Sequence, residues 1–449
     1  MKRAALFLLV AGCAGGSGFE SGSANGPGPW LVTNAIYGSA EGIQESPVVG
    51  MTTDEAQNRW LATNAALYLL RPGDSRFRRF DSSDGLHLPG NPVRYCDRDF
   101  VGGDRACPIF GAAVAPGISA IAGGAQGEVF VGYFGHWEGT GDWSDPNRHT
   151  GKLDRVRLKP DGSLQVDRMD LVASTTAQFW HNRTIERLLY DHARHELYAG
   201  TNHGVDRLQP NAFRYPRQGE WFLAATHEWL SDHLHPSVCY HTACTGNESK
   251  DTQMMGEWRG LALAPDGDLW VAGKWAAGKI RWTQQLSQWH ARNGNETYAV
   301  AFGDPYDPVT GANAPVFRPS REGDPVELSA VSVAKDGLVW FACGPRMTST
   351  RPYGIASWDG KSFRYFDAVK DAGLAESSVR DLVALPDGRL AVASISTLVL
   401  WDPAARRHTT VTGLPGGSIQ RLELDQQVTP PTLHVAADGG AAALRILPP

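Results

Sequence analysis

Cysteine is scarce in this chain, with six in 449 residues, at positions 13, 96, 107, 239, 244 and 343. None of them forms a C-x-x-C pair, so the paired spacing of a structural zinc site is missing. Basic residues are not in excess either: 42 Lys and Arg stand against 48 Asp and Glu, a formal net charge of -6. Without a run of clustered cations to neutralise phosphates, nucleic acid is not an expected partner. No apolar stretch reaches membrane-spanning length. G-x-S-x-G, P-loop and H-E-x-x-H patterns are all absent, which removes the most legible nucleophilic, nucleotide-binding and zinc-protease chemistries without excluding an enzyme.

What is present begins with a leader. Lys2 and Arg3 precede a short apolar core that ends in Val10-Ala11-Gly12-Cys13. The core is too short for a mature membrane helix and reads as an export signal. Its end resembles the bacterial lipobox, which implies a signal peptide over 1–12, a lipid on Cys13, and a flexible Gly/Ser tether over 13–29. Ala14 after the Cys points to the outer membrane by the same resemblance. An ordinary secretory leader with an incidental Cys is the alternative. Export places the chain where disulfides persist, so local bridges Cys96 to Cys107 and Cys239 to Cys244 are expected, although four cysteines allow three pairings. Cys343, inside the apolar run LVWFAC, reads as a buried free thiol.

Length alone suggests about three domains, but internal repetition overrides that prior. The unit is clearest at Gly260 to Trp282, GLALAPDGDLWVAGKWAAGKIRW: two apolar runs joined by a PDG turn, then a polar loop and a third run. Short apolar runs rich in β-branched and aromatic residues, punctuated by turn residues, indicate a meander of antiparallel strands. The inner runs are continuously apolar, as expected where both faces of a sheet are covered. Aligned on the second strand, RWLATN, EVFVGY, ELYAGT, DLWVAG, LVWFAC, RLAVAS and TLHVAA mark seven units. Trp60, Phe130, Tyr198, Trp270 and Trp340 share one position, replaced by Ala391 and His434 in the last two units; they are expected to pack between neighbouring sheets.

The pattern resembles two-component-regulator propeller repeats and their WD40-like relatives, as in VRDLVALPDGRLAVASISTLVLWDP and IERLLYDHARHELYAGTNHGVDRLQP. The sequence is read as having no GH or WD dipeptide signature of true WD40 blades, so only the broader class is implied. The resemblance implies an all-β, seven-bladed β-propeller of four-stranded antiparallel blades over 30–449. The last unit ends one strand short, and Trp30 to Tyr37 is expected to pair near Ala442 to Ile446 and close the ring, since closure removes exposed edges.

Seven blades of about 40–45 residues leave over 100 to place elsewhere. The long additions run over 84–117, 133–152, 211–256, 294–326 and 344–353 and are expected on one end of the wheel, where a rigid scaffold carries binding loops. Candidate binding residues there are His136, Trp137, His181, Asn182, Arg183, Asn202, His203, Lys274, Trp275, Arg346 and Arg351. Amphipathic rings beside cations suit a carbohydrate, an anionic small molecule or a protein loop. His227, His233, His235 and His241 crowd one of these additions, read as a polar loop rather than a metal site.

Nearer the axis, the position before each inner strand holds Glu45, Gly117, Thr184, Glu257, Glu327, Ser378 and Ser418. Three carboxylates on one ring could hold a calcium or magnesium ion, the basis for an alternative reading as a cation-dependent lyase or lactonase. No ligand pattern of such propeller enzymes matches closely. The preferred expectation is an envelope-anchored scaffold without a cofactor, whose looped face binds an unknown ligand or another envelope protein.

Overall fold

A computed structural model describes residues 31–88, 117–134, 153–168, 185–201, 205–213, 229–234, 237–239, 252–254, 258–273, 277–284, 297–298, 328–343 and 353–446. Thirty strands form seven four-stranded antiparallel sheets and one two-stranded hairpin, with no α-helix among the described residues. The inner strands are Val48–Thr53, Ile118–Gly123, Ile185–Asp191, Gly260–Leu263, Leu328–Val333, Asp381–Ala384 and Ile419–Asp425. Each lies against the next, and the seventh returns to the first, so the array is a closed seven-bladed propeller. Six blades follow chain order from inner to outer strand.

The seventh takes its outer strand from the other end of the chain. Leu31–Tyr37 pairs with Gly440–Ile446, Leu31 opposite Ile446 and Tyr37 opposite Ala441, as the seven-unit count requires. The backbone groups of Gly440–Ile446 are thereby met on both sides, and no open edge remains there to template another chain.

The apolar clusters lie between blades. One joins Trp60, Leu67 and Phe80 of blade one to Ile118, Val131 and Val156 of blade two. Another joins Trp340 and Ile355 of blade five to Leu382, Val392 and Trp401 of blade six. This is why the second strands are apolar on both faces: one face packs forward and the other back. Trp60, Phe130, Tyr198, Trp270, Trp340, Ala391 and His434 are all buried at one equivalent site. Burying an aromatic of that size contributes about 1.5–3 kcal/mol.

Three consecutive blades also repeat an ion pair across their second and third strands. Glu128 takes Arg155 Nε at 2.5 Å, Glu196 takes Arg207 Nη2 at 2.5 Å, and Asp268 takes Lys279 Nζ at 2.7 Å. In each case the base sits opposite the packing aromatic and the acid lies two residues before it. The tight turns between first and second strands have a local cause too. Gly267, Gly337 and Gly388 have φ of 87°, 87° and 89°. The preceding Asp266, Asp336 and Asp387 each accept a backbone N–H two residues on, a turn that Asp and Gly favour.

Three expectations need correction. The additions at 211–256 and 294–326 are not wholly connections: Trp229–Leu234 and Thr297–Tyr298 are the outer strands of blades three and four. The segments before them, 214–228 and 285–296, therefore join third strand to fourth and leave from the opposite end. A hairpin of Ser237–Cys239 with Thr252–Met254 follows, and His233 lies in a strand opposite Asp206 rather than in a loop. Trp-Asp dipeptides do occur, at 358–359 and 401–402, where the third strands of blades five and six finish.

Candidate functional site

The eleven binding candidates, His136, Trp137, His181, Asn182, Arg183, Asn202, His203, Lys274, Trp275, Arg346 and Arg351, lie outside the described residues, as do Glu257, Glu327, Cys13, Cys96, Cys107 and Cys244. Cys239 is described only as a strand position. By connectivity, every one of the eleven belongs to a segment joining second strand to third or outer strand to the next inner strand. In an antiparallel meander these segments leave from the end where the inner strands begin.

Glu45 is described, and its carboxylate is already engaged within its own blade. It accepts the Tyr68 hydroxyl and, at 2.8 Å, Arg79 Nε. Tyr68 and Arg79 stand on the third and fourth strands, so these contacts draw the side chain outward along the blade. Among the described residues no group of three or more His, Cys, Asp and Glu is placed to hold a metal ion.

The axis itself carries a cluster that the sequence reading did not single out. Arg187 of blade three donates from Nη1 to Asp381 Oδ2 of blade six at 3.1 Å and from Nη2 to Leu422 O of blade seven at 3.3 Å. Arg421 of blade seven returns a hydrogen bond from Nη2 to Glu186 O of blade three at 2.9 Å. Blade three neighbours neither blade six nor blade seven in the ring, so the bonds cross its centre. Asp381 is 2% exposed and also accepts Leu422 N at 2.9 Å. Arg259 of blade four reaches Glu186 at 3.9 Å. Arg380 donates to Ile419 O at 3.2 Å and to Gln420 Oε1 at 3.4 Å.

Enclosure changes the acidity of these groups. Desolvation pulls Arg421 down to about 10, and the neighbouring charge of Arg187 adds to the fall. Arg380 is lowered by desolvation and then by Arg259. Glu423, further along the same inner strand, is pushed up to about 7 by desolvation, which outweighs its hydrogen bond from Thr52. Moving a charge into a low-dielectric interior disfavours it unless a partner compensates. Arg421 and Glu423 retain some accessible surface because they face the axial space, although protein surrounds them.

A second tie crosses the axis at its other end. His192 of blade three meets Glu55 of blade one through Nδ1 at 3.1 Å and Gln427 of blade seven through Nε2 at 2.9 Å. Also at that end, between blades five and six, a cavity of about 880 Å³ is lined by Trp340, Tyr365 and Phe366 with Asp336, Asp387 and Arg389. Asp336 and Asp387 are turn-forming residues there, each holding a local amide.

The axial charges had a visible signal. IERL, EWRGL, VRDL and IQRL each set an Arg one or two residues before the Leu that packs between blades, within or just before the inner strand. Four units with an Arg at one of two successive places in the repeat point to one location in space.

Neither protein-family models nor curated proteins yield a match to this chain. Among solved structures, a chain of the "Crystal Structure of Mitotic Checkpoint Complex" is similar at TM-score 0.51 and 10% identity, covering 96% of this chain and 99% of that one. A chain of "YCF48 bound to D1 peptide" is similar at TM-score 0.46 and 10% identity over 94% of this chain and 98% of that one. The first likeness concerns the β-propeller fold alone.

Proposed function

We propose that this chain is a lipid-anchored envelope scaffold. Cys13 carries the lipid, the Gly/Ser-rich segment after it acts as a tether, and the end of the wheel where the inner strands begin captures a ligand or another envelope protein without chemistry of its own. The observation that supports this reading is the connectivity of the closed wheel. Segments 89–116, 135–152, 169–184, 299–327 and 344–352 all join strands at that end. All eleven aromatic, cationic and amide candidates belong to connections of the same kind. A rigid sheet scaffold carries variable loops at low cost in stability, which is why binding residues concentrate on them.

Site-specific photo-crosslinking tests it. A crosslinker replacing Trp137 or Trp275 is expected to trap a partner in intact envelopes, and one replacing Arg406, at the opposite end, is not. Equal trapping from both ends, or none from either, refutes the looped-end reading. The anchor is tested separately: Cys13→Ala is expected to move the chain from the membrane to the soluble fraction.

A further inference from the structure

We propose that the cavity between blades five and six, at the end where the inner strands finish, is a binding site for a neutral oligosaccharide. It opens where the repeat gives up a buried ion pair. In blades two, three and four the residue opposite the packing aromatic is a base, Arg155, Arg207 or Lys279, and an acid stands two residues before that aromatic. In blade three the pair lies against the next blade, where Arg207 Nη1 donates to Thr283 O at 2.8 Å. In blade five the packing aromatic is Trp340, set against Trp401 of blade six. Opposite it stands Ser357, and two residues before it stands Leu338. These two cannot form the pair, and both line the cavity of about 880 Å³. Small-molecule sites typically measure about 300–1,000 Å³. The outer strand changes as well: in blade two Asp167 stands opposite the base, and in blade five Arg364 stands opposite Ser357.

The lining calls for a ligand that both donates and accepts. Ser357 is 2% exposed and Trp340 3%. Among the described residues, neither the hydroxyl nor the indole N–H has a hydrogen-bond partner, and both residues border the cavity. Buried polar groups are as a rule paired, so a partner from outside the chain fits here. Arg364, on the same wall, makes no ion pair or hydrogen bond among the described residues. Four aspartates and four arginines line the space, so their formal charges cancel. The carboxylates are held by local amides, as where Asp359 accepts Lys361 N and Ser362 N at 2.8 Å each, and a carboxylate has lone pairs to spare beyond two such bonds. A balanced lining gives an ion no net attraction. A sugar hydroxyl donates to a carboxylate while accepting from a guanidinium, and Trp340 and Phe366 supply an apolar wall for the ring.

The purified full chain is screened on an array of neutral and acidic oligosaccharides of hexose and N-acetylhexosamine units, and the tightest neutral member is then titrated calorimetrically. Saturable binding of at least one neutral member is expected. Arg364→Gln is expected to weaken it tenfold or more, as loss of a charge-assisted hydrogen bond does. The double variant Leu338→Glu with Ser357→Arg rebuilds the pair of blades two to four, and is expected to fold and to lose binding. Arg78→Gln, on blade one, should leave binding unchanged. Absence of binding to every neutral member overturns the proposal, as does tighter binding of acidic members. Equal binding by the native protein and by folded Arg364→Gln and double variants overturns it as well. The site lies at the end opposite the looped one, so crosslinking from Trp137 or Trp275 tests the scaffold separately. An oligosaccharide held at Ser357 leaves no protein adduct on a crosslinker replacing Arg406, so either reading can fail alone.

Discussion

Replacing Asp381 by Ala tests whether the wheel is held across its centre as well as around its rim. The carboxylate is 2% exposed and accepts from Arg187 Nη1 at 3.1 Å and from the backbone N–H groups of Leu382 at 3.0 Å and Leu422 at 2.9 Å. At an effective dielectric of about 20, two unit charges at that separation attract by about 5 kcal/mol before desolvation is subtracted. Removing one partner of such a pair, so that the other remains enclosed and uncompensated, costs about 3–5 kcal/mol. Arg187→Met should cost less, because Asp381 keeps its two amide donors. The double variant should then be more stable than the sum of the singles implies, by about 0.5–3 kcal/mol, the usual range for residues in contact. Guanidinium chloride unfolding at neutral pH, followed through the fluorescence of the chain's 15 tryptophans, gives all four stabilities. Additive losses, with a coupling under about 0.5 kcal/mol, would refute the claim that this bond ties blade three to blade six.

Glu196 lies deep between blades. Desolvation alone would raise its pKa, but hydrogen bonds from Arg207, Gln209 and Trp282 outweigh that and hold it below the ordinary carboxylate value. Its stabilisation is present above the unfolded value and lost as pH falls through the folded one, so Glu196→Gln should destabilise at pH 7 and converge on the native protein in acid melts. Glu423 behaves in the opposite sense. With its folded value raised to about 7 from 4.5, the native state holds the proton longer, and stability declines as pH rises between those limits. Glu423→Gln should therefore gain thermal stability over the native protein at pH 8 and show little difference at pH 4. His434 is buried at the aromatic position, meets Thr53 Oγ1 at 3.0 Å, and is depressed to about 3 by desolvation and then Arg59. Its contribution is complete above about 6.5 and is lost as pH falls below that, so His434→Phe should flatten the acid limb of the melting-temperature profile. Deleting residues 31–37 should expose the edge of Gly440–Ile446 and make the chain self-associate in light scattering.

The architecture was legible in the residues because a propeller repeats one local solution seven times. An apolar run, an Asp-Gly turn and a second apolar run make the same hairpin wherever they occur, and the doubly covered strands declare a neighbour on each face. Even ring closure followed from counting, since three strands at one terminus and a single unassigned strand, Leu31–Tyr37, at the other complete one blade. The outer strands of blades three and four were hidden, because Trp229–Leu234 and Thr297–Tyr298 sit amid polar insertions and lack apolar alternation; their partners, not their own composition, make them strands. The axial cluster was hidden for a different reason. Arg187, Asp381 and Arg421 stand up to 234 positions apart, and only closure of the ring brings their side chains to one axis, where distance through space, not along the chain, sets their energies.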